Sequence, residues 1–204
     1  MSQPARAEIA FDRDELRQQK RMAVLRAGAR LFSERGYDRT SLDDIARELG
    51  VSKRTLYYYV DSKDDILFEC TQMAIDALES AMEDSRDRDR SVRKRIETLM
   101  HEYARVLSND FGACLVRCSD DLLSDTSRAV LQDGFKKIDH AFRDLLQQGI
   151  DDGSIAPNDT RLTAALIFGA FNWVPHWNRD DKVVPHAEVA NHFLDTVLDG
   201  LCVR

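Results

Sequence analysis

Between residues 40 and 67 the chain reads TSLDDIARELGVSKRTLYYYVDSKDDIL, and three serines in it sit where helices begin. Ser41 is followed three residues on by Asp44, a capping-box arrangement in which each residue satisfies the other's free backbone donor. Ser52 and Ser62 precede two further helix-forming runs, and Gly50 stops the run that Ser41 starts. This punctuation specifies a helix over Leu42 to Leu49, another over Lys53 to Val60, and a third from Lys63 into the 70s or low 80s. Two helices of about eight residues joined by Gly50-Val51-Ser52 have the arithmetic of a helix-turn-helix. A helix from Asp14 to Arg35 precedes them, with Val24, Leu25, Gly28, Leu31 and Phe32 on one stripe and Gly36 as its stop.

Helical periodicity continues beyond residue 67, and no run alternates as a strand would. Helices are expected over Val92 to Leu107, Cys114 to Leu123, Thr126 to Asp151, Asp159 to Trp177 and Ala187 to Val203, about nine in all. DDGSIAPND is the strongest loop signal. The fold class is all-α. The boundaries expected are an N-terminal tail over 1–12, a helix-turn-helix domain over 13–66 and a larger helical domain over 67–204.

Charge is distributed unevenly. The 204 residues carry a net charge of −7, yet residues 1–66 hold 13 Lys+Arg against 12 Asp+Glu. An acidic body repels nucleic acid, so any contact with it must come from a local cationic face in the first third. The N-terminal segment has no continuous apolar stretch, and no window approaches the ~18 apolar residues of a membrane span. A cytoplasmic protein with no membrane partner is expected. The cysteines, Cys70, Cys114, Cys118 and Cys202, are too scattered for a disulfide framework and read as reduced thiols.

On a helix over 53–60, Lys53, Arg54 and Thr55 occupy the first turn, where free N–H groups and the dipole favour phosphate. Leu56 and Val60 lie together and can face a core. Tyr57, Tyr58 and Tyr59 sweep about 200° of arc, so they cannot all be buried. Phenol groups on an exposed face can donate to phosphate oxygens, while Lys53 and Arg54 can reach base edges and Lys63 adds a cation at the start of the next helix. Tyrosines that merely cover a small core are the competing reading, and the capped helix-turn-helix tips the balance toward a recognition helix in a major groove.

The stretch from Val24 to Leu67 closely resembles the DNA-binding domain of the TetR/AcrR family of bacterial transcriptional regulators. The resemblance rests on Leu31-Phe32, Gly36-Tyr37, Thr40-Ser41, Ile45-Ala46, Gly50-Val51-Ser52, Thr55-Leu56-Tyr57 and Ser62-Lys63. It implies that Thr40 and Ser41 touch phosphates, that Lys53, Arg54, Thr55, Tyr57, Tyr58 and Tyr59 form the DNA face, and that Lys63 clamps the backbone. Arg54 stands where a small residue or proline is common, and Val60 where phenylalanine is usual.

The resemblance further implies an effector-binding and dimerisation domain whose last two helices form a four-helix bundle about a two-fold axis. Leu162, Ala165, Leu166, Gly169 and Ala170 share one face, as do Val189, Phe193, Val197 and Leu201; core within one subunit produces the same pattern. FGAFNWVPHW, from Phe168, looks like the Gly-x-x-Asn-Trp-x-x-x-Trp pattern of relatives that control fatty-acid, steroid or aromatic-acid breakdown and respond to acyl-CoA thioesters. Effector candidates are Met100, Tyr103, Leu107, Phe111, Cys114, Cys118, Phe135, Ile138, Phe142, Phe168, Asn172, Trp173, His176 and Trp177. Arg105, Arg117 and Arg179 are candidates for the phosphates of a CoA. The implied function is a homodimeric repressor on a palindromic double-stranded operator, released by a small hydrophobic effector, with no cofactor.

No Gly-x-Ser-x-Gly, P-loop, dinucleotide-binding or HExxH motif is present, and the five histidines show no metal-like pairing. An enzyme is not expected. Cys114 and Cys118, four residues apart, leave one alternative: a DNA-binding regulator responsive to redox state or to a metal.

Overall fold

The computed structural model describes the backbone of residues 5–87, 89–178 and 183–201, and the side chains of 13–87, 89–178 and 183–199. Residues 1–4, Arg179, Cys202, Val203 and the side chain of Leu201, all named above, lie outside these. Every regular element among the described residues is helical: α1 (Ala5–Arg35), α2 (Leu42–Glu48), α3 (Lys53–Leu56), α4 (Lys63–Asp84), α5 (Val92–Leu107), α6 (Asp110–Arg117), a 3-10 turn (Asp120–Leu122), α7 (Asp125–Asp151), α8 (Thr160–Trp177) and α9 (His186–Leu201).

The capping signals place the first helices. Ser41 Oγ accepts from Asp44 N while Asp44 accepts from Ser41 N at 2.9 Å, closing the capping box on α2. Ser52 Oγ accepts from Thr55 N, and Ser62 Oγ from Asp65 N at 3.0 Å, so each of the next two helices also has a satisfied N-terminal donor. Gly50 turns the chain between α2 and α3 at φ 66°, left-handed backbone that a side chain would strain.

Three expectations need correcting. α1 begins at Ala5, not Asp14, so residues 5–12 of the expected tail continue a helix. α3 stops at Leu56, not Val60. Tyr58 N bonds Thr55 O and Tyr59 N bonds Leu56 O, the tight three-residue spacing of a 3-10 turn, while Val60, whose N–H bonds Leu56 O at 3.2 Å, is buried. α6 starts at Asp110, because Asn109 Oδ1 accepts from Phe111 N at 3.0 Å and Gly112 N at 2.9 Å, and it ends at Arg117.

One core runs through both halves. Leu25, Leu31 and Phe32 of α1 meet Ile45 of α2, Leu56 of α3 and Ile66 of α4, and the same cluster continues into Ile75, Ile96, Phe142 and Phe171. α4 packs against α1, α5, α6 and α7, while α6 lies across both α1 and α4. The helices that hold α2 and α3 are therefore the ones on which the C-terminal half rests.

Candidate DNA-reading and effector sites

Short α3 presents its chemistry outward. Lys53, Arg54 and Thr55 are exposed, and Lys53 Nζ sits 3.0 Å from Asp43 Oδ2 of α2, which holds its charge at the junction of the two helices. The Asp43 carboxylate also raises the Lys53 pKa, keeping it a cation. Tyr57 is 48% and Tyr58 63% exposed, whereas Tyr59 is half-buried and meets Tyr58 edge-on at 5.0 Å. Arg17 of α1 lies 5.2 Å from the centre of the Tyr58 ring, a cation–π contact. Arg21 reaches back to Tyr59 O and Glu69, tying the tyrosine turn to α1 and α4. A protruding turn that carries two cations, a hydroxyl and two phenols suits contact with a phosphate backbone and base edges.

Thr40 does not join this face. Its side chain is 2% exposed and its hydroxyl bonds Gly36 O at 2.9 Å and Leu31 O at 3.3 Å, closing the end of α1 instead of reaching a phosphate. Ser41 is exposed, with its hydroxyl engaged by Asp44. Lys63 is half-buried: its Nζ donates to Tyr37 O at 2.9 Å and lies 3.9 Å from the Tyr37 ring centre, while the Tyr37 hydroxyl bonds Asp64. Its charge anchors the start of α4 before it can serve any partner.

In the C-terminal half a cavity of about 410 Å³ lies between the end of α5, α6, the end of α8 and the start of α9. Its walls include Ala104, Leu107, Ala113, Phe171, Val174, Pro175 and Val189, with Ser108, Asn109, Asp110, Arg117, Asn178 and His186 as polar points. Arg117 of α6 donates to Pro175 O, bridging α6 to the end of α8. Asn178 pairs with Val184 through two bonds of 2.7 Å, a side chain acting as a backbone strand to close the floor. This volume and mixed lining are those of a small-molecule pocket.

Of the residues expected at an effector site, only Leu107 and Arg117 line this cavity. Met100, Tyr103, Cys114, Ile138 and Phe142 are core, and Phe111 and Phe168 pack half-buried against it. Tyr103, Phe142 and Phe168 form an aromatic stack with centroids 4.9 and 5.2 Å apart, and Tyr103 Oη donates to Asn172 Oδ1 at 2.8 Å. Phe135 and Cys118 line a second pocket of about 300 Å³, against Leu67 and Thr71 of α4. Trp173 and Trp177 are exposed on the outer face of α8, and His176 stacks on Trp173 at 4.6 Å. They lie away from the cavity because Phe171, Val174 and Pro175 occupy the opposite face of α8. Arg105 is exposed and paired with Glu102. Pro175 and the loop residues 183–185 are not among the sequence candidates, which come from the helices expected to surround a cavity and from the FGAFNWVPHW pattern.

Among the described residues no group of three or more His, Cys, Asp or Glu could hold a metal, and no helix is long and apolar enough to cross a membrane.

Two stretches match known families: residues 24–70 match "Bacterial regulatory proteins, tetR family", and residues 89–201 match "Tetracyclin repressor-like, C-terminal domain". The chain is 23% identical over 185 residues to the fatty acid metabolism regulator protein of Bacillus subtilis, covering 89% of this chain and 95% of that one. It is 25% identical over 186 residues to the HTH-type transcriptional repressor KstR2 of Mycobacterium tuberculosis, covering 89% and 92%. The structure of AibR in complex with isovaleryl coenzyme A and operator DNA shares its fold, with a TM-score of 0.76 at 22% identity, covering 86% and 96%. The second match spans more than half of the chain and agrees with the helical order, and the first ends within α4 after enclosing α2 and α3. The chain therefore belongs to the tetR family of bacterial regulatory proteins: it is a helix-turn-helix transcriptional regulator and not an enzyme.

Proposed function

We propose that the protein is a homodimeric, effector-released repressor of catabolic genes, acting in the cytoplasm. Residues 13–66 form its DNA-binding domain, and residues 67–204 bind effector and dimerise. Each subunit presents Lys53, Arg54, Thr55, Tyr57 and Tyr58 to a major groove of a palindromic operator, with half-sites about one helical turn (~34–36 Å) apart. Dimerisation runs through α8, whose exposed stripe of Leu162, Ala165, Leu166, Gly169, Trp173 and Trp177 has the spacing of a helix-packing face. Against the expected pairing, Val189 of α9 is buried and Phe193 and Val197 pack half-buried against the core of their own subunit, so α8 carries more of this interface than α9.

The observation that carries the effector reading is the 410 Å³ cavity closed by α6, because α6 also lies across α1 and α4. An effector seated there pushes on a helix in contact with the DNA-reading half. A ligand releases DNA only through its differential affinity for the two states, and operator must weaken effector binding by the same factor. An acyl-CoA thioester is the class we favour. The apolar wall takes an acyl chain, Arg117 and His186 offer polar contact, and AibR is known with isovaleryl coenzyme A. A nuclease-protection footprint on DNA upstream of its own gene tests the reading. A two-fold symmetric footprint that a thioester erases is expected, and an asymmetric footprint or none refutes it.

A further inference from the structure

Cys114 and Cys118 are assigned no part in DNA reading or in the 410 Å³ cavity. Their sulfurs lie 3.8 Å apart at the C-terminal end of α6. Four residues along a helix separate Cα atoms by about 6 Å, inside the ~4.4–6.8 Å span of disulfides. Cys118 has left the helix, at φ −92° and ψ 136°, while its N–H still bonds Cys114 O at 3.0 Å. Its side chain lines the 300 Å³ pocket beside Leu67 and Thr71, open to a small solute, while Cys114 is fully buried behind it. The pair thus has the arrangement of an attacking thiol in front and a resolving thiol within bonding reach.

The electrostatics agree. The hydrogen bond with Cys114 and then the Arg117 guanidinium hold the Cys118 thiol below its usual pKa, and the same hydrogen bond and burial raise that of Cys114. Cys70, by contrast, is pushed up by burial and donates to Leu25 O at 3.2 Å, so it stays a thiol. Reactivity follows the thiolate, which puts the first step on Cys118.

We infer that Cys114 and Cys118 form a peroxide-responsive thiol pair whose oxidation to a disulfide weakens operator binding, a second input to the regulator. The thiolate sulfur of Cys118 attacks one peroxide oxygen. An S–O bond forms, the O–O bond breaks, and the leaving hydroxide takes up the proton that Cys118 released on ionising, becoming water. Cys114 sulfur then attacks Cys118 sulfur, the S–O bond breaks, and the departing hydroxide takes the Cys114 proton as a second water. Two thiols lose two electrons and one hydrogen peroxide becomes two waters.

Bond formation draws the sulfurs from 3.8 Å to about 2.05 Å, a contraction of about 1.8 Å. The N-terminal end of α6 cannot absorb it, because a Cβ on Gly112 would stand 2.1 Å from Val106 O and 2.7 Å from Leu107 Cα; backbone already touches backbone there. The C-terminal end must move instead; there Cys118 lies against Leu67 and Thr71 of α4, and α6 as a whole also packs on α1, so the shift reaches the supports of α2 and α3.

This inference rests on the repressor reading only for its DNA readout. The full-length protein is treated with hydrogen peroxide, and three measurements are made: peptide mass mapping, operator affinity by fluorescence anisotropy, and amide exchange in α1 and α4. Mapping should find a Cys114–Cys118 crosslink with Cys70 still reduced. Operator affinity should fall by about tenfold, thiol reductant should restore it, and C118S should be unresponsive. A reduced pair after treatment, or a crosslink with operator affinity and exchange both unchanged, overturns the inference. If the reduced protein itself binds no operator, the repressor reading fails, and a crosslink that alters exchange in α1 and α4 still supports the switch while unaltered exchange overturns it.

Discussion

Replacing Leu166 with aspartate should split the proposed dimer. Leu162, Leu166 and Trp173 expose 61%, 65% and 62% of their surface on one face of α8, although their neighbours Ala164, Ile167 and Phe171 are buried. Fully burying a leucine is worth ~1.5–3 kcal/mol, so covering the exposed two-thirds of Leu166 contributes about 1–2 kcal/mol. A two-fold axis counts each change twice, giving ~2–4 kcal/mol for the two leucines. Each aspartate adds an unpaired carboxylate at an apolar contact, at a cost of at least about 1 kcal/mol. The sum, about 4–6 kcal/mol, raises the dimer dissociation constant by roughly 10³-fold or more. Sedimentation equilibrium at micromolar protein measures this directly, and far-ultraviolet circular dichroism checks that helix content survives, because Leu166 supports no core of its own subunit. A variant that sediments as wild type, with intact helices, would refute the assignment of this stripe to the dimer interface. Operator affinity should fall with dimerisation, since a monomer reads only one half-site.

Lys53→Ala and Tyr57→Ala should each cost about 1–3 kcal/mol of operator affinity in anisotropy titrations at fixed salt, with the dimer unchanged; unaltered affinity would remove α3 from the interface. Ala113→Trp places an indole in the 410 Å³ cavity and should abolish effector release while the operator is still bound, giving a repressor that no longer responds; normal release would move the effector elsewhere. Thr40→Val strips the buried hydroxyl from the Leu31 and Gly36 carbonyls and should lower stability by about 1–3 kcal/mol in urea titration. A wild-type midpoint would mean that the hydroxyl holds nothing. Ser41 and then Arg47 pull the Asp44 carboxyl from 3.8 to about 2. Because the folded value is the lower one, its stabilising effect is whole above the unfolded value and fades as pH falls towards 2. The stability gap between wild type and Asp44→Asn should therefore close across that window, and a gap flat with pH would contradict the capping role.

The helix-turn-helix was legible because capping is local chemistry. Ser41, Ser52 and Ser62 each bond a donor within three residues, so sequence spacing alone locates α2, α3 and α4. The sequence reads α3 too long because Tyr57 to Tyr59 are compatible with helix, whereas in the fold they form a turn with three-residue hydrogen bonds. The family resemblance assigns Thr40 to DNA, while its rotamer turns the hydroxyl inward to two carbonyls. Along α8 apolar residues lie on both faces, and periodicity cannot say which meets the core. The structure puts Ile167 and Phe171 inside and Leu166 and Trp173 outside. The cavity was the least legible element, because Pro175, Asn178 and residues 183–186 come together only when the end of α8 and the start of α9 dock on α5 and α6.

The central claim is that effector in the C-terminal half releases DNA held by the N-terminal half. Fluorescence anisotropy of the purified protein on DNA from upstream of its own gene, at stated salt, with and without a panel of acyl-CoA thioesters, tests it most directly. The account predicts tight binding that one thioester class releases and that operator DNA reciprocally weakens thioester binding by the same factor. Tight DNA binding that no thioester alters would contradict it.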